Sequence, residues 1–168
     1  MRTIASLFLM ALTTGCAPSR EAPATGADPV KWSASAASAR PASDGSRLID
    51  IGLRATIDDG WHVYSLTQQG EGPTAMTVKV APIPIYELAG PVTGPAPDRA
   101  VDPNFGIETE TYSGHPVFRV LVKQLAATQP AAQATPIELK VRSQACSDNL
   151  CLPARTTTLS IDPPKIGS

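Results

Sequence analysis

Arg47-Leu48-Ile49-Asp50-Ile51-Gly52-Leu53-Arg54-Ala55-Thr56-Ile57 alternates with period two: Ile49, Ile51, Leu53, Ala55 and Ile57 fall on one face, Asp50, Arg54 and Thr56 on the other. Such a run is a half-buried strand. The pattern returns in Met76, Val78 and Val80 with Thr77 and Lys79 outward, and in Ile137, Leu139 and Val141 with Glu138, Lys140 and Arg142 outward. Thr157, Leu159 and Ile161 repeat it once more. Phe118, Val120 and Val122, interleaved with Val117 and Leu121, read as a strand buried on both sides. Turn signals punctuate these runs at Asp58-Asp59-Gly60, Gly70-Glu71-Gly72-Pro73, Gly90-Pro91, Gly94-Pro95 and Ser113-Gly114-His115-Pro116. With 17 prolines and 12 glycines spread along the chain, long helices are disfavoured. Short alternating strands joined by turns predict an all-β fold, an antiparallel β-sandwich.

The N-terminus reads differently. Arg2 supplies a positive start and residues 4–12 an apolar stretch too short to span a bilayer, the pattern of a secretory signal over residues 1–15. Leu12-Thr13-Thr14-Gly15-Cys16 resembles the bacterial lipobox, in which a peptidase cuts before a cysteine that receives lipid. Thr13 stands where that motif most often has leucine, and the alternative is an ordinary signal peptidase cutting nearby. Lipidation of Cys16 would hold a soluble body on a membrane, and Ala17 after it favours an outer-membrane anchor facing the periplasm. Residues 16–28 hold no large apolar side chain after the cysteine and are expected to be a tether. Residues 29–163 form one domain of ordinary size, for which 42% hydrophobic residues provide a core, and residues 164–168 are a tail. Within the domain, Val30 and Trp32 suggest a short first strand, and residues 33–46, poor in large apolar side chains, a loop. A net charge of −1 with no basic cluster argues against nucleic acid or an anionic lipid surface as partner.

Of 3 cysteines, Cys16 leaves the disulfide count whether lipidated or removed, so Cys146 and Cys151 form the one available pair. In an exported chain, this pair either staples a turn or exchanges electrons. Closing so small a loop restrains the unfolded chain by only about 2 kcal/mol in the chain-entropy model, against nearly 5 for a loop of about a hundred residues. As a staple the pair is poorly placed. Asp148 between the cysteines would raise a thiol pKa, and Arg142 or Arg155 would lower it if the fold brought them close.

Together, Gly60-Trp61-His62-Val63-Tyr64 after an alternating strand, Phe105-Gly106 leading to Tyr112, and Gln144-Ala145-Cys146 with Cys151-Leu152-Pro153 give the chain a family likeness over roughly residues 28–162. In this order they resemble the N-terminal periplasmic domain of the thiol:disulfide interchange protein DsbD. The resemblance implies an immunoglobulin-like sandwich whose cysteines, here Cys146 and Cys151, cycle between dithiol and disulfide. It implies electron relay to or from thioredoxin-like periplasmic partners, with no cofactor. By the same analogy Cys151 is the sulfur joined to the partner. The family shields its cysteines with a cap loop bearing an aromatic residue, a role that Phe105 matches here, with Tyr64 and Tyr112 lining the site or packing beside it. Pro103-Asn104 stand where well-known members carry an acidic pair. The full-length family protein continues into a membrane domain and a thioredoxin-like domain. This sequence ends at Ser168, so a separate membrane electron donor is expected.

Two other readings remain. The domain could be a non-catalytic lipoprotein module with a structural bridge. Alternatively Cys146, Cys151, His62, His115 and Met76 are ligand types suited to Cu(I), although no His-x-His, Met-rich or Cys-x2-Cys arrangement supports a metal site. His115 before Pro116 reads more simply as a turn residue and His62 as a strand residue. Leu150 and Leu152 are candidates for a docking surface or for turn packing.

Overall fold

The computed structural model describes residues 28–126 and 134–164. The signal at 1–15, Cys16, nearly all of the tether, and the tail beyond Pro164 lie outside the described residues. Every described element is a strand: β1 (Val30–Pro41), β2 (Arg47–Ile57), β3 (His62–Tyr64), β4 (Thr77–Val80), β5 (Tyr86–Leu88), β6 (Asp98–Val101), β7 (Glu108–Tyr112), β8 (Val117–Gln124), β9 (Ile137–Ser143), β10 (Ala145–Cys146) and β11 (Arg155–Ile161). Three antiparallel sheets result, ordered β1-β2-β8-β5, β11-β9-β4 and β10-β3-β7-β6. The first two bury the alternating faces read from the sequence. Ile49, Ile51 and Leu53 of β2, Val120 and Val122 of β8, and Ile137, Leu139 and Val141 of β9 are fully buried in one core. At about 1.5–3 kcal/mol for each large side chain taken out of water, these faces dominate the stability of the immunoglobulin-like sandwich.

Two sequence expectations are corrected. Residues 33–46 are not mainly a loop, because β1 continues to Pro41 and pairs with β2 along its whole length, from Val30 opposite Ile57 to Pro41 opposite Arg47. Strand hydrogen bonds use the backbone, so small side chains suffice: Ala34, Ala36 and Ala39 pack against the core at partial burial. A register shift between Ala36 and Ser38 absorbs one residue as a bulge, which keeps those alanines facing inward. The second correction concerns β8. Val117 is exposed and Leu121 half-buried, so the strand is buried on one face. Its other face carries Arg119, which pairs with Asp50 of β2 as a solvated ion pair.

The third sheet stands where the chain turns away from the core. After β2, Gly60 adopts φ +78° and the Trp61 N–H bonds the Asp58 carbonyl, turning the chain into β3. In β3, Val63 points into the core while His62 and Tyr64, two apart, share the opposite face. β10 pairs with β3 on one side, Cys146 opposite His62, and β7 pairs on the other, Thr111 opposite Tyr64.

Candidate functional site: a disulfide beneath the β6–β7 loop

Cys146 ends β10 and Cys151 follows a four-residue turn, in which the Ser147 N–H bonds the Leu150 carbonyl at 2.8 Å. The sulfurs are joined in a disulfide with the Cα atoms 4.1 Å apart. The two are not equivalent. Cys146 is 0% exposed, whereas Cys151 is partly exposed beside Leu150, which is 53% exposed. Leu152 instead packs partly against the core. Asp148 lies exposed in the turn, Arg155 faces Asp28 at 3.8 Å and Arg142 reaches the Ala154 carbonyl.

Tyr64 and the β6–β7 loop build the wall around the pair. The Tyr64 hydroxyl lies 3.9 Å from Cys151 Sγ and donates a 2.7 Å hydrogen bond to Asp102 Oδ2. Its proton thus points at the carboxylate, and an oxygen lone pair is left to face the sulfur. Burial and the neighbouring Asp102 push the Tyr64 hydroxyl well above its ordinary value, so it stays protonated. Asp102, itself 3% exposed, is held ionised. Burial alone would raise its pKa, but hydrogen bonds from the Tyr64 hydroxyl and from the N–H groups of Asn104 and Phe105, with the nearby His62, hold it below 3.8.

Those N–H groups are donated to Asp102 Oδ1, at 2.8 and 3.3 Å, so one carboxylate folds the loop back while orienting Tyr64. Gly106, at φ +68°, completes the turn with its N–H on the Asp102 carbonyl. Phe105 stands edge-on to the Tyr64 ring at a centroid distance of 6.0 Å and rests on Gly72, where a Cβ would come within 3.1 Å of its ring. Asn104 reaches across to the disulfide turn and donates from Nδ2 to the Ser147 carbonyl at 2.7 Å. On the far side of Tyr64, the His62 ring stands edge-on at 5.4 Å, and its Nε2 lies 3.6 Å from Asp102 Oδ2.

Of the residues singled out in the sequence, Cys146, Cys151, Tyr64, Phe105 and His62 therefore come together. Tyr112 turns its ring onto Phe118 inside the sandwich, at a centroid distance of 5.0 Å. His115 is exposed in the β7–β8 turn and Met76 is buried in the core, both apart from the disulfide. Among the described residues no group of three or more His, Cys, Asp or Glu is placed to hold a metal. Asp102 went unread in the sequence, and Asn104 was read only as a departure from a family pattern. Asp102-Pro103-Asn104 with Gly106 is nevertheless the signature of a turn closed by an aspartate side chain.

An immunoglobulin-like sandwich with a short-loop disulfide at one sheet end, walled by a pinned loop, defines the class. The chain belongs to the family described as "Thiol:disulfide interchange protein DsbD, N-terminal", whose profile matches residues 32–163. Among solved structures, the N-terminal periplasmic domain of ScsB from Proteus mirabilis is similar in fold, with 20% identity and a TM-score of 0.52 over 82% of this chain and 48% of that one. The reduced DsbD N-terminal domain of Neisseria meningitidis aligns with 18% identity and a TM-score of 0.48, over 76% of this chain and 83% of that one. A comparison with curated proteins found no match.

Proposed function

We propose that the domain is a thiol–disulfide exchange module in which Cys146 and Cys151 carry electrons to or from thioredoxin-like partners. The observation that carries this reading is the asymmetric disulfide: a partly exposed Cys151 joined to a buried Cys146, beside a loop bonded to the disulfide turn through the exposed Asn104 side chain, in a chain of the DsbD N-terminal family. A partner's thiolate attacks Cys151 Sγ, a mixed disulfide forms, and the electron pair of the broken bond goes to Cys146 Sγ. The partner's second thiolate then attacks its own sulfur in the mixed disulfide, leaving the partner oxidised and the pair reduced. Phe105 and Asn104 act as a cap that a partner displaces, and Tyr64 lines the attacked sulfur. In this reading the domain works in the periplasm, tethered through a lipid on Cys16, and a separate membrane protein supplies the electrons.

The test is the reduction potential of the folded protein, together with trapping. A Cys146→Ala variant is expected to form a stable mixed disulfide through Cys151 with a thioredoxin-like protein. A potential well below about −300 mV, where structural bridges lie, with no trapped partner, would sink the proposal in favour of a structural bridge.

A further inference from the structure

His62 carries a contradiction: its Nε2 is buried without a hydrogen-bond partner, yet it faces a buried carboxylate at 3.6 Å. A neutral ring without a proton on Nε2 would aim a lone pair at Asp102, which repels it, whereas the imidazolium would form an ion pair there. Asp102 Oδ2 also accepts the Tyr64 hydrogen bond, and the Tyr64 hydroxyl lies 3.9 Å from Cys151 Sγ. His62 is also the cross-strand partner of Cys146, so their side chains project from the same face of the paired strands. Other groups facing it are few. Tyr64 comes from its own strand, Asp102 from the β6–β7 loop and Cys146 from β10, while Thr111 and Tyr112 occupy the neighbouring register positions of β7. Among the described residues its ion-pair partner is Asp102, and the arginines and lysines in ion pairs are engaged elsewhere.

We propose that His62 is a positioning residue that sets the net charge of the Asp102–Tyr64 unit, and so how readily the disulfide opens; this rests on the exchange reading above. When a thiolate attacks Cys151, a new S–S bond forms and the leaving electron pair makes Cys146 a buried thiolate. An unbalanced Asp102 opposes that charge. The imidazolium form of His62, protonated on both ring nitrogens, balances the carboxylate, loosens its hold on the Tyr64 proton and removes the opposition. No proton has to move in the attack itself, and the Cys146 thiolate is protonated afterwards from water.

The experiment follows reduction of the oxidised domain by dithiothreitol between about pH 5.5 and about pH 8, the interval in which histidine ordinarily titrates. Each rate constant is divided by the thiolate concentration of the reductant, so an ordinary disulfide gives a flat line. The native protein is expected to rise about three- to tenfold towards acid, the size of a charge–charge interaction of up to about one pKa unit. His62→Gln should be flat at the slow level, because the carboxylate is never balanced. Asp102→Asn should be flat at the fast level, because there is no charge to balance. Because Asp102→Asn also frees the loop that its carboxylate holds, the deciding readout is the pH dependence rather than the level of a plateau: a slope present in the native protein and absent in His62→Gln is not what a purely structural role would produce. A flat native profile, or a rise that survives in His62→Gln, overturns the inference while leaving the exchange reading intact. A native disulfide that dithiothreitol does not open at any pH, while the urea-unfolded chain is reduced, counts against the exchange reading instead.

Discussion

Tyr64 is the side chain on which the site's geometry converges, since it touches the disulfide, the carboxylate and both flanking rings. Removing its hydroxyl in Tyr64→Phe takes one charge-assisted hydrogen bond from buried Asp102, a loss of about 1.5–3 kcal/mol. Urea unfolding of the oxidised protein should show this as a lower midpoint with an unchanged slope. Asp102 also makes stability depend on acid. Its folded-state pKa lies below the ordinary 3.8, so its contribution is complete above about pH 4 and is lost as pH falls through the folded value. The native protein should therefore lose unfolding free energy below about pH 4 more steeply than Asp102→Asn, in urea titrations at successive pH values. The site was half legible at this scale. Cys146 and Cys151 announce themselves by spacing, and Tyr64 by the Gly60-Trp61-His62-Val63-Tyr64 stretch that carries part of the family resemblance. His62 and Tyr64 share a face by the two-residue period of a strand. What no local pattern shows is that a carboxylate in a distant loop would close on them.

Among the elements, the β6–β7 loop is the one that the exchange reading requires to yield. The Asn104 side chain is its direct bond to the disulfide turn, and that bond is exposed to water. Asn104→Ala should cost less than about 1 kcal/mol in stability, as befits a solvent-exposed hydrogen bond. It should nevertheless speed reduction of the disulfide by small thiols several-fold. Phe105→Ala should do the same through loss of the ring, and Gly72→Ala should act in that direction by crowding the ring from below. Stopped-flow measurements with dithiothreitol compare all three, and unchanged rates would mean the loop does not limit access. The same scale explains why only the start of β1, at Val30 and Trp32, reads as a strand in the sequence. A strand at the sheet's edge needs one partner's backbone and a tolerable inner face, and Ala34, Ala36 and Ala39 meet that need without the large side chains by which strands are recognised. β2, β4 and β9 were legible because their inner faces are built from such side chains.

For the whole molecule, most of the core is carried by two sheets and the disulfide by the third, which adds Val63, Tyr112 and Ala145 to the core. Ile51, Leu139 and Val141 are fully buried in the first two sheets, whereas the disulfide closes a loop with a sequence separation of 5 at the end of the third. Reduction should consequently cost no more than about 2 kcal/mol, the chain-entropy value for so short a loop, and leave the domain folded. Leu139→Ala, by contrast, should cost about 2–5 kcal/mol in either redox state. Thermal unfolding of the oxidised and reduced forms, each with and without the substitution, checks both figures. Additive costs are expected because the two sites lie in different sheets.

The bond from Asn104 ends on the main-chain oxygen of residue 147, an atom that every amino acid supplies. The clasp thus reads the path of the turn and is blind to its side chains. Replacing Ser147 with alanine should leave the loop fastened, and residues 147–150 become the part of the site whose chemistry can be rewritten to suit one partner or another without undoing the lid.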